Sequence, residues 1–316
     1  MSDETAADAV SRETGAEPQR GDTPIARAAA TAVQVRAGRA GDLPAPSRTR
    51  LLTVANQKGG VGKTTTTVNV AAALALHGLR VLVLDLDPQG NASTALGLEH
   101  SAGTPSVYEV LVDDLPMTDV VCAVEGIPAL FGAAATIDLA AAELELVSLV
   151  AREFRLRRAL DRYLAASERF DYVFIDCPPS LGLLTLNAMV AADELLIPIQ
   201  CEYYALEGLG QLVRTVEMVR THLNPTLHVS TILLTMYDAR TRLAAQVADE
   251  VRAHFGERVL KTLVPRSVRV SEAPSYGQTV MTYDPGSSGA LSYLEAAREL
   301  ARQELSVGPD PGEEHA

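Results

Sequence analysis

The run Lys58-Gly59-Gly60-Val61-Gly62-Lys63-Thr64-Thr65 separates an apolar, strand-like segment, Leu51–Asn56, from a helical one, Thr65–His77. Strand, glycine loop, lysine-threonine and helix, in that order, form the layout by which a chain cradles phosphate. The glycines let successive backbone N–H groups turn onto phosphate oxygens, and the helix that follows presents the positive end of its dipole. In that layout Lys63 reaches the outer phosphates and the Thr64 hydroxyl holds Mg²⁺.

The loop departs from the general G-x-x-x-x-G-K-[ST] pattern at one place. Its first glycine would fall on Gln57, and a second lysine, Lys58, opens the loop instead. A cation there does not readily fold back onto phosphates held by its own loop, so a nucleotide bound by a facing copy is its more natural target. This K-G-G-x-G-K-[ST] form resembles the deviant Walker A ATPases, the group that holds the ParA/Soj partition proteins, the MinD division-site proteins and the nitrogenase iron protein. The resemblance implies a homodimer that sandwiches ATP, with Lys58 acting across the interface. It also implies nucleotide contacts along Lys58, Gly59, Gly60, Val61, Gly62, Lys63, Thr64 and Thr65.

Short apolar strands alternate with helical stretches through most of the chain. Strands are expected at Arg80–Leu86, Ile127–Phe131, Asp171–Ile175, Glu194–Ile199, Val229–Leu234 and, at an edge, Val259–Leu263. Helices are expected near Thr65–His77, Ala140–Ala165, Leu183–Ala191, Gly208–His222, Leu243–Phe255 and Ser288–Glu304. Continuous apolar strands joined by helical crossovers predict an α/β fold, a doubly wound, mostly parallel sheet with helices on both faces. Ligands in such sheets bind beyond the carboxyl ends of the strands. Residues 1–49 have few large hydrophobic side chains and read as a disordered arm, too poor in apolar residues for a helix-turn-helix domain. Residues 50–305 read as one ATPase domain and 306–316 as an acidic mobile tail. No apolar run approaches the ~20 residues of a membrane span, and the charged N-terminus lacks an apolar signal core. The three cysteines, Cys122, Cys177 and Cys201, show no C-x-x-C spacing. A reducing cytoplasm is the expected location.

Two further motifs fall at strand ends. Asp85-Leu86-Asp87-Pro88-Gln89-Gly90-Asn91 follows RVLVLDL, where a carboxylate beside the phosphate loop can orient a water or a Mg²⁺-bound water. Taken alone, the same string is also a good polar turn. DLDPQGN resembles the switch I segment of ParA/Soj proteins, which implies that Asp87 positions the attacking water. FDYVFID ends in Asp176 in the Walker B pattern, so that Asp176 would accept a hydrogen bond from a water on Mg²⁺. The IDCPPSLG that it opens resembles switch II. Cys177 reads as a small buried thiol, since no second metal ligand or cluster cysteine accompanies it. Thr64, Asp87 and Asp176 are thus the expected metal-side residues.

Pro265-Arg266-Ser267 occupies the place where relatives carry a Pro-Arg-Asn that flanks adenine. This implies nucleotide contacts from Pro265 and Ser267, with Ser267 lacking the amide. QCEYYALEGL around Cys201 also resembles the partition family, although a helix start with partly buried tyrosines explains it as well. Arginines gather late in the core, at Arg240, Arg242, Arg252, Arg258, Arg266 and Arg269, with Lys261 among them, but acidic residues intervene and charge alone favours a solvated helical surface. The net charge of −13 argues against nucleic acid at face value, yet a local patch can still meet phosphates. LLTMYDARTRL and VPRSVRVSEAPSYG resemble partition proteins, which implies that Arg240 and Arg269 contribute to a sequence-neutral surface for double-stranded DNA. The resemblance covers residues 50–303. It implies a nucleoid-associated chromosome-partitioning ATPase stimulated by a ParB-type centromere-binding partner. A ParA-like ATPase that positions another cargo, a plasmid or a protein cluster, stays open. A MinD-like membrane cycler would need a C-terminal basic amphipathic helix, which the acidic, proline-containing tail lacks.

Overall fold

Strands β1 (Arg50–Val54), β2 (Val81–Asp85) and β5 (Tyr172–Asp176) are buried along almost their whole length, as apolar strands covered on both faces must be. With β3 (Val121–Ala123), β4 (Leu130–Ala133), β6 (Glu194–Gln200), β7 (His228–Tyr237) and β8 (Val259–Pro265) they form one eight-stranded sheet. Its order is β3-β4-β2-β5-β1-β6-β7-β8. Every neighbouring pair is parallel except β3 with β4. The structure is a computed structural model and describes residues 43–202 and 205–303.

Alternate side chains of each strand feed two cores. Leu82, Leu84, Val173 and Ile175 pack on one face. Val81, Val83, Tyr172 and Phe174 pack on the other. This is the two-residue period of a pleated strand. The first face is covered by α3 (Val107–Val112), α4 (Leu139–Glu145), α5 (Arg155–Ala166), α6 (Leu183–Ala191), α7 (Ala205–His222) and α8 (Arg242–Phe255). The second is covered by α1 (Lys63–Leu76), α2 (Asn91–Ala95), α10 (Val280–Tyr283) and α11 (Ser288–Arg302). A short helix, α9 (Val268–Glu272), follows β8. Buried Asn69 ties two of these elements together, donating to Thr65 O at 2.7 Å and accepting from Val280 N at 2.8 Å.

The fold class matches the sequence expectation, and the departures have local causes. The single helix expected over Ala140–Ala165 is two, α4 and α5, separated by two 3-10 turns. Ala151 there adopts φ 51, in the left-handed region, which ends any continuous right-handed helix. The strand expected at Ile127–Phe131 begins at Leu130, because Ala129 adopts φ 61 and turns the chain first. Of the expected arm over 1–49, residues 43–49 lie against the domain. Leu43 is buried and its N–H donates to His77 O, and Thr49 Oγ1 donates to Phe170 O at 2.7 Å. The rest of that arm and the tail expected over 306–316 lie outside the described residues. Among the described residues no helix is long and apolar enough to cross a membrane.

Candidate nucleotide site

Beyond β1 the chain turns through Gly60 at φ 73 and Gly62 at φ 89, both left-handed conformations that favour glycine. Helix α1 starts immediately after, and no side chain caps it. Its first-turn N–H groups are therefore left for an anion. The loop is held from behind. Thr235 Oγ1, near the end of β7, donates to Val61 O at 2.8 Å, and Asn56 bridges Lys58 N to Pro198 O. Lys63 is buried, and its ammonium donates to Lys58 O at 3.3 Å. Burial lowers the Lys63 pKa, while Asp176, Cys177 and Asp87 oppose the shift.

Strand β5 lies between β1 and β2 and brings its terminal Asp176 into register with both Val54 and Asp85. Asp176 is fully buried. It accepts from Thr64 Oγ1 at 2.7 Å and from Thr67 Oγ1 at 2.9 Å. The two threonines are three residues apart on α1 and so share its lower face. Burial, with Asp85 next, pushes the Asp176 carboxyl up to about 8. Asp85 is buried too and is pushed up to about 6, mainly by desolvation, although it accepts three hydrogen bonds. Asp87 follows, nearly buried. Its Oδ1 accepts from Gln89 N at 3.0 Å.

Buried carboxylates beside a hydroxyl and one ammonium form a hard-oxygen donor set short of positive charge. Among the described residues no group of three or more His, Cys, Asp or Glu could hold a metal by itself. That combination suits Mg²⁺, which keeps several waters and takes substrate phosphates as ligands. Cys177 is fully buried and its pKa is raised well above the usual thiol value by desolvation, so it is the small core thiol expected.

Lys58 stands apart from this cluster. Its ammonium pairs with Glu202 Oε2 at 2.5 Å, at the exit of β6. Gln200 holds the other Glu202 oxygen. Pro265 closes β8 in register with Tyr237 of β7, and Ser267 sits just before α9. Arg240 and Arg269 are exposed, and each is held by carboxylates. Asp238 takes both Arg240 Nε and Nη2, at 2.9 and 2.8 Å. Arg269 pairs with Glu272 at 3.0 Å and Asp284 at 3.4 Å. The Arg240 hydrogen bonds hold the Asp238 carboxyl down at about 2.

Residues 49–229 match the model of a family described as an AAA domain. The sporulation initiation inhibitor protein Soj of Bacillus subtilis is 53% identical over 254 residues, which cover 80% of this chain and 98% of that protein. The chain belongs to the Soj/ParA family. The chromosome partitioning protein ParA of Myxococcus xanthus is 51% identical over 260 residues, 82% of this chain and 90% of that protein. Among solved structures, a Mycobacterium smegmatis protein described as cobyrinic acid a,c-diamide synthase, with bound ADP and magnesium, aligns at TM-score 0.69 and 40% identity. The alignment covers 80% of this chain and 94% of that one. Within this Soj/ParA chain the site holds four residues to which sequence reading gave no role: Asp85, Ser93, Thr67 and Glu202. Spacing offered a signal for Thr67, three residues after Thr64. Asp85 needed the register of β2 against β5 to be seen.

Proposed function

We propose that the chain is a DNA-segregation ATPase. It binds ATP with Mg²⁺ at the α1 loop and dimerises through the bound nucleotide. The dimer holds duplex DNA without regard to base sequence and hydrolyses ATP faster under a ParB-type partner. The observation that carries this reading is the Lys63–Thr64–Asp176 cluster at the uncapped start of α1. It occurs in a chain 53% identical to Soj along 98% of that protein. The partitioning names of relatives support the chromosome as the cargo.

The residues have distinct parts in this reading. The loop N–H groups and Lys63 take the phosphates. Thr64, Asp176 and Asp87 would hold Mg²⁺ directly or through water, and the ion would supply charge neutralisation on the phosphate oxygens. Asp87 Oδ2 accepts a hydrogen bond from the attacking water and aims it. The water oxygen bonds to the γ-phosphorus, the bond to the bridging oxygen breaks with its electron pair leaving on ADP, and the water's proton ends on inorganic phosphate. Pro265 and Ser267 flank the base. Lys58 leaves Glu202 to reach a nucleotide in the facing copy. Arg240 and Arg269 exchange carboxylate for DNA phosphate. A chain of net charge −13 does this best when two copies align their arginines on one face.

The identity to Soj and to the Myxococcus xanthus partitioning protein, 53% and 51%, exceeds the 40% to the synthase-named structure, and this favours segregation over a biosynthetic role. ATP turnover in Mg²⁺, with and without duplex DNA and a ParB-type protein, tests it. Slow basal turnover, raised by the two together and abolished by Lys63→Ala, is expected. Turnover indifferent to both overturns the segregation reading.

A further inference from the structure

One carboxylate holds both ends of the loop that carries Asp87. Asp85 Oδ1 accepts from Asp87 N at 3.0 Å. Asp85 Oδ2 accepts from Ser93 N at 2.8 Å and from Ser93 Oγ at 2.7 Å. The Ser93 hydroxyl is not a terminus of this network, because it accepts in turn from Ala135 N, just past β4, at 3.0 Å. Ser93 and Asp85 are both buried, so water cannot stand in for any of these bonds. The middle of the loop is closed as well. Gly90 N donates to Asp87 O at 2.9 Å. A Cβ added at Gly90 would lie 3.0 Å from His100 Cδ2 and 3.2 Å from Ala135 O. The backbone around Asp87 is thus anchored to β2 and to the exit of β4, while among the described residues Asp87 Oδ2 has no hydrogen-bond partner.

We propose that Ser93 and Asp85 are positioning residues for hydrolysis: they clamp the Asp87–Ser93 loop so that the free oxygen of Asp87 is aimed at the attacking water. This rests on the ATPase reading above and adds to it residues whose hydrogen bonds run to the loop and to the exit of β4. Ser93→Ala keeps the backbone bond to Asp85. It removes the hydroxyl that both donates to Asp85 and accepts from Ala135, leaving a buried N–H without its acceptor. The Asp87 end of the loop then rests on a carboxylate that has lost one of its three fixed donors. Misplacing a water-orienting group by about an ångström costs on the order of a hundredfold in rate.

The test uses full-length protein and saturating Mg²⁺-ATP, with single-turnover hydrolysis, affinity for a fluorescent ATP analogue and melting temperature measured for each variant. Ser93→Ala and Asp85→Asn are expected to lower the hydrolysis rate about ten- to a hundredfold while analogue affinity stays within about twofold. Since both act through Asp87, adding Ser93→Ala to Asp87→Ala is expected to change the remaining rate less than about twofold. The clamp is overturned if Ser93→Ala turns over like wild type, if its whole loss tracks weaker analogue binding, or if it lowers the rate in the Asp87→Ala background by the same factor as alone. Absence of any turnover in the wild-type chain overturns the ATPase reading itself, and the clamp with it.

Discussion

Asp176→Asn turns the charge shortage of the site into a measurable stability. Among the described residues Asp176 makes no ion pair. It has two threonine hydroxyls and a neighbouring carboxylate, Asp85, and it is fully buried. Its folded pKa of about 8 lies above the ordinary 3.8, so between those values the folded chain holds a proton that the unfolded chain has released. Stability of the nucleotide-free protein therefore falls as pH rises from about 4 to about 8. At about 1.4 kcal/mol per pH unit the ceiling for an isolated group is roughly 6 kcal/mol. Local relaxation and water entry bring the expected effect to about 1–3 kcal/mol. Asparagine keeps the shape and cannot ionise. Urea unfolding is expected to find Asp176→Asn more stable than wild type by about 1–3 kcal/mol at about pH 8.5, with the gap shrinking toward about pH 4. The same variant is expected to lose most of the thermal stabilisation that Mg²⁺-ATP gives wild type. Equal destabilisation at both pH values would refute the picture of a charge held in readiness for a cation.

Asp87→Ala is expected to retain Mg²⁺-ATP binding through Lys63, Thr64 and Asp176 and to hydrolyse it about 10²–10⁴-fold more slowly, and wild-type turnover would remove Asp87 from its role. Gly62→Val places a β-branched residue at φ 89. A Cβ there meets Met236 and Thr235 only at 3.9 Å, so the cost is backbone strain, about 1–3 kcal/mol, read in urea unfolding together with weakened nucleotide binding. At the opposite end of the sheet, Arg50 and Glu194 form a buried bidentate pair, with Arg50 also donating to Leu300 O. Glu194→Gln leaves the guanidinium unpaired and is expected to cost about 3–5 kcal/mol, whereas a well-packed Arg50→Met, Glu194→Leu double variant is expected to recover much of it. A Glu194→Gln loss below about 1 kcal/mol contradicts that ledger of buried charge.

How much of this was legible in the chain depended on whether the cause was local. The α1 loop was readable because its glycines, lysine and threonine act within one turn of each other. Helix α6 was readable end to end because a loop rich in proline and glycine fixes its start. Helix α5 was run together with α4 because apolar spacing continues through the 3-10 turns, and the break lies in the backbone, extended at Leu149 and left-handed at Ala151. Strand β3 has three residues at the sheet edge and carries too little pattern to see. In the site, Asp176 announced itself at a strand end. The work of Asp85 depends on its register with Asp176 and on Ser93, eight residues away. The arginines are a different case. Charge alone reads there as a solvated surface, DNA contact rests on the resemblance, and the structure finds Arg240 and Arg269 each neutralised by carboxylates of their own chain.

Those neutralised arginines make DNA binding the sharpest test. Asp87→Ala protein, held in its nucleotide state, is titrated against a labelled duplex of arbitrary sequence in Mg²⁺-ATP, in ADP and without nucleotide, across a salt series. Binding is expected only in ATP, with affinity that falls steeply with salt and is lost in Arg240→Glu and Arg269→Glu. Equal affinity in all three nucleotide conditions would contradict an ATP-gated dimer as the DNA-binding species.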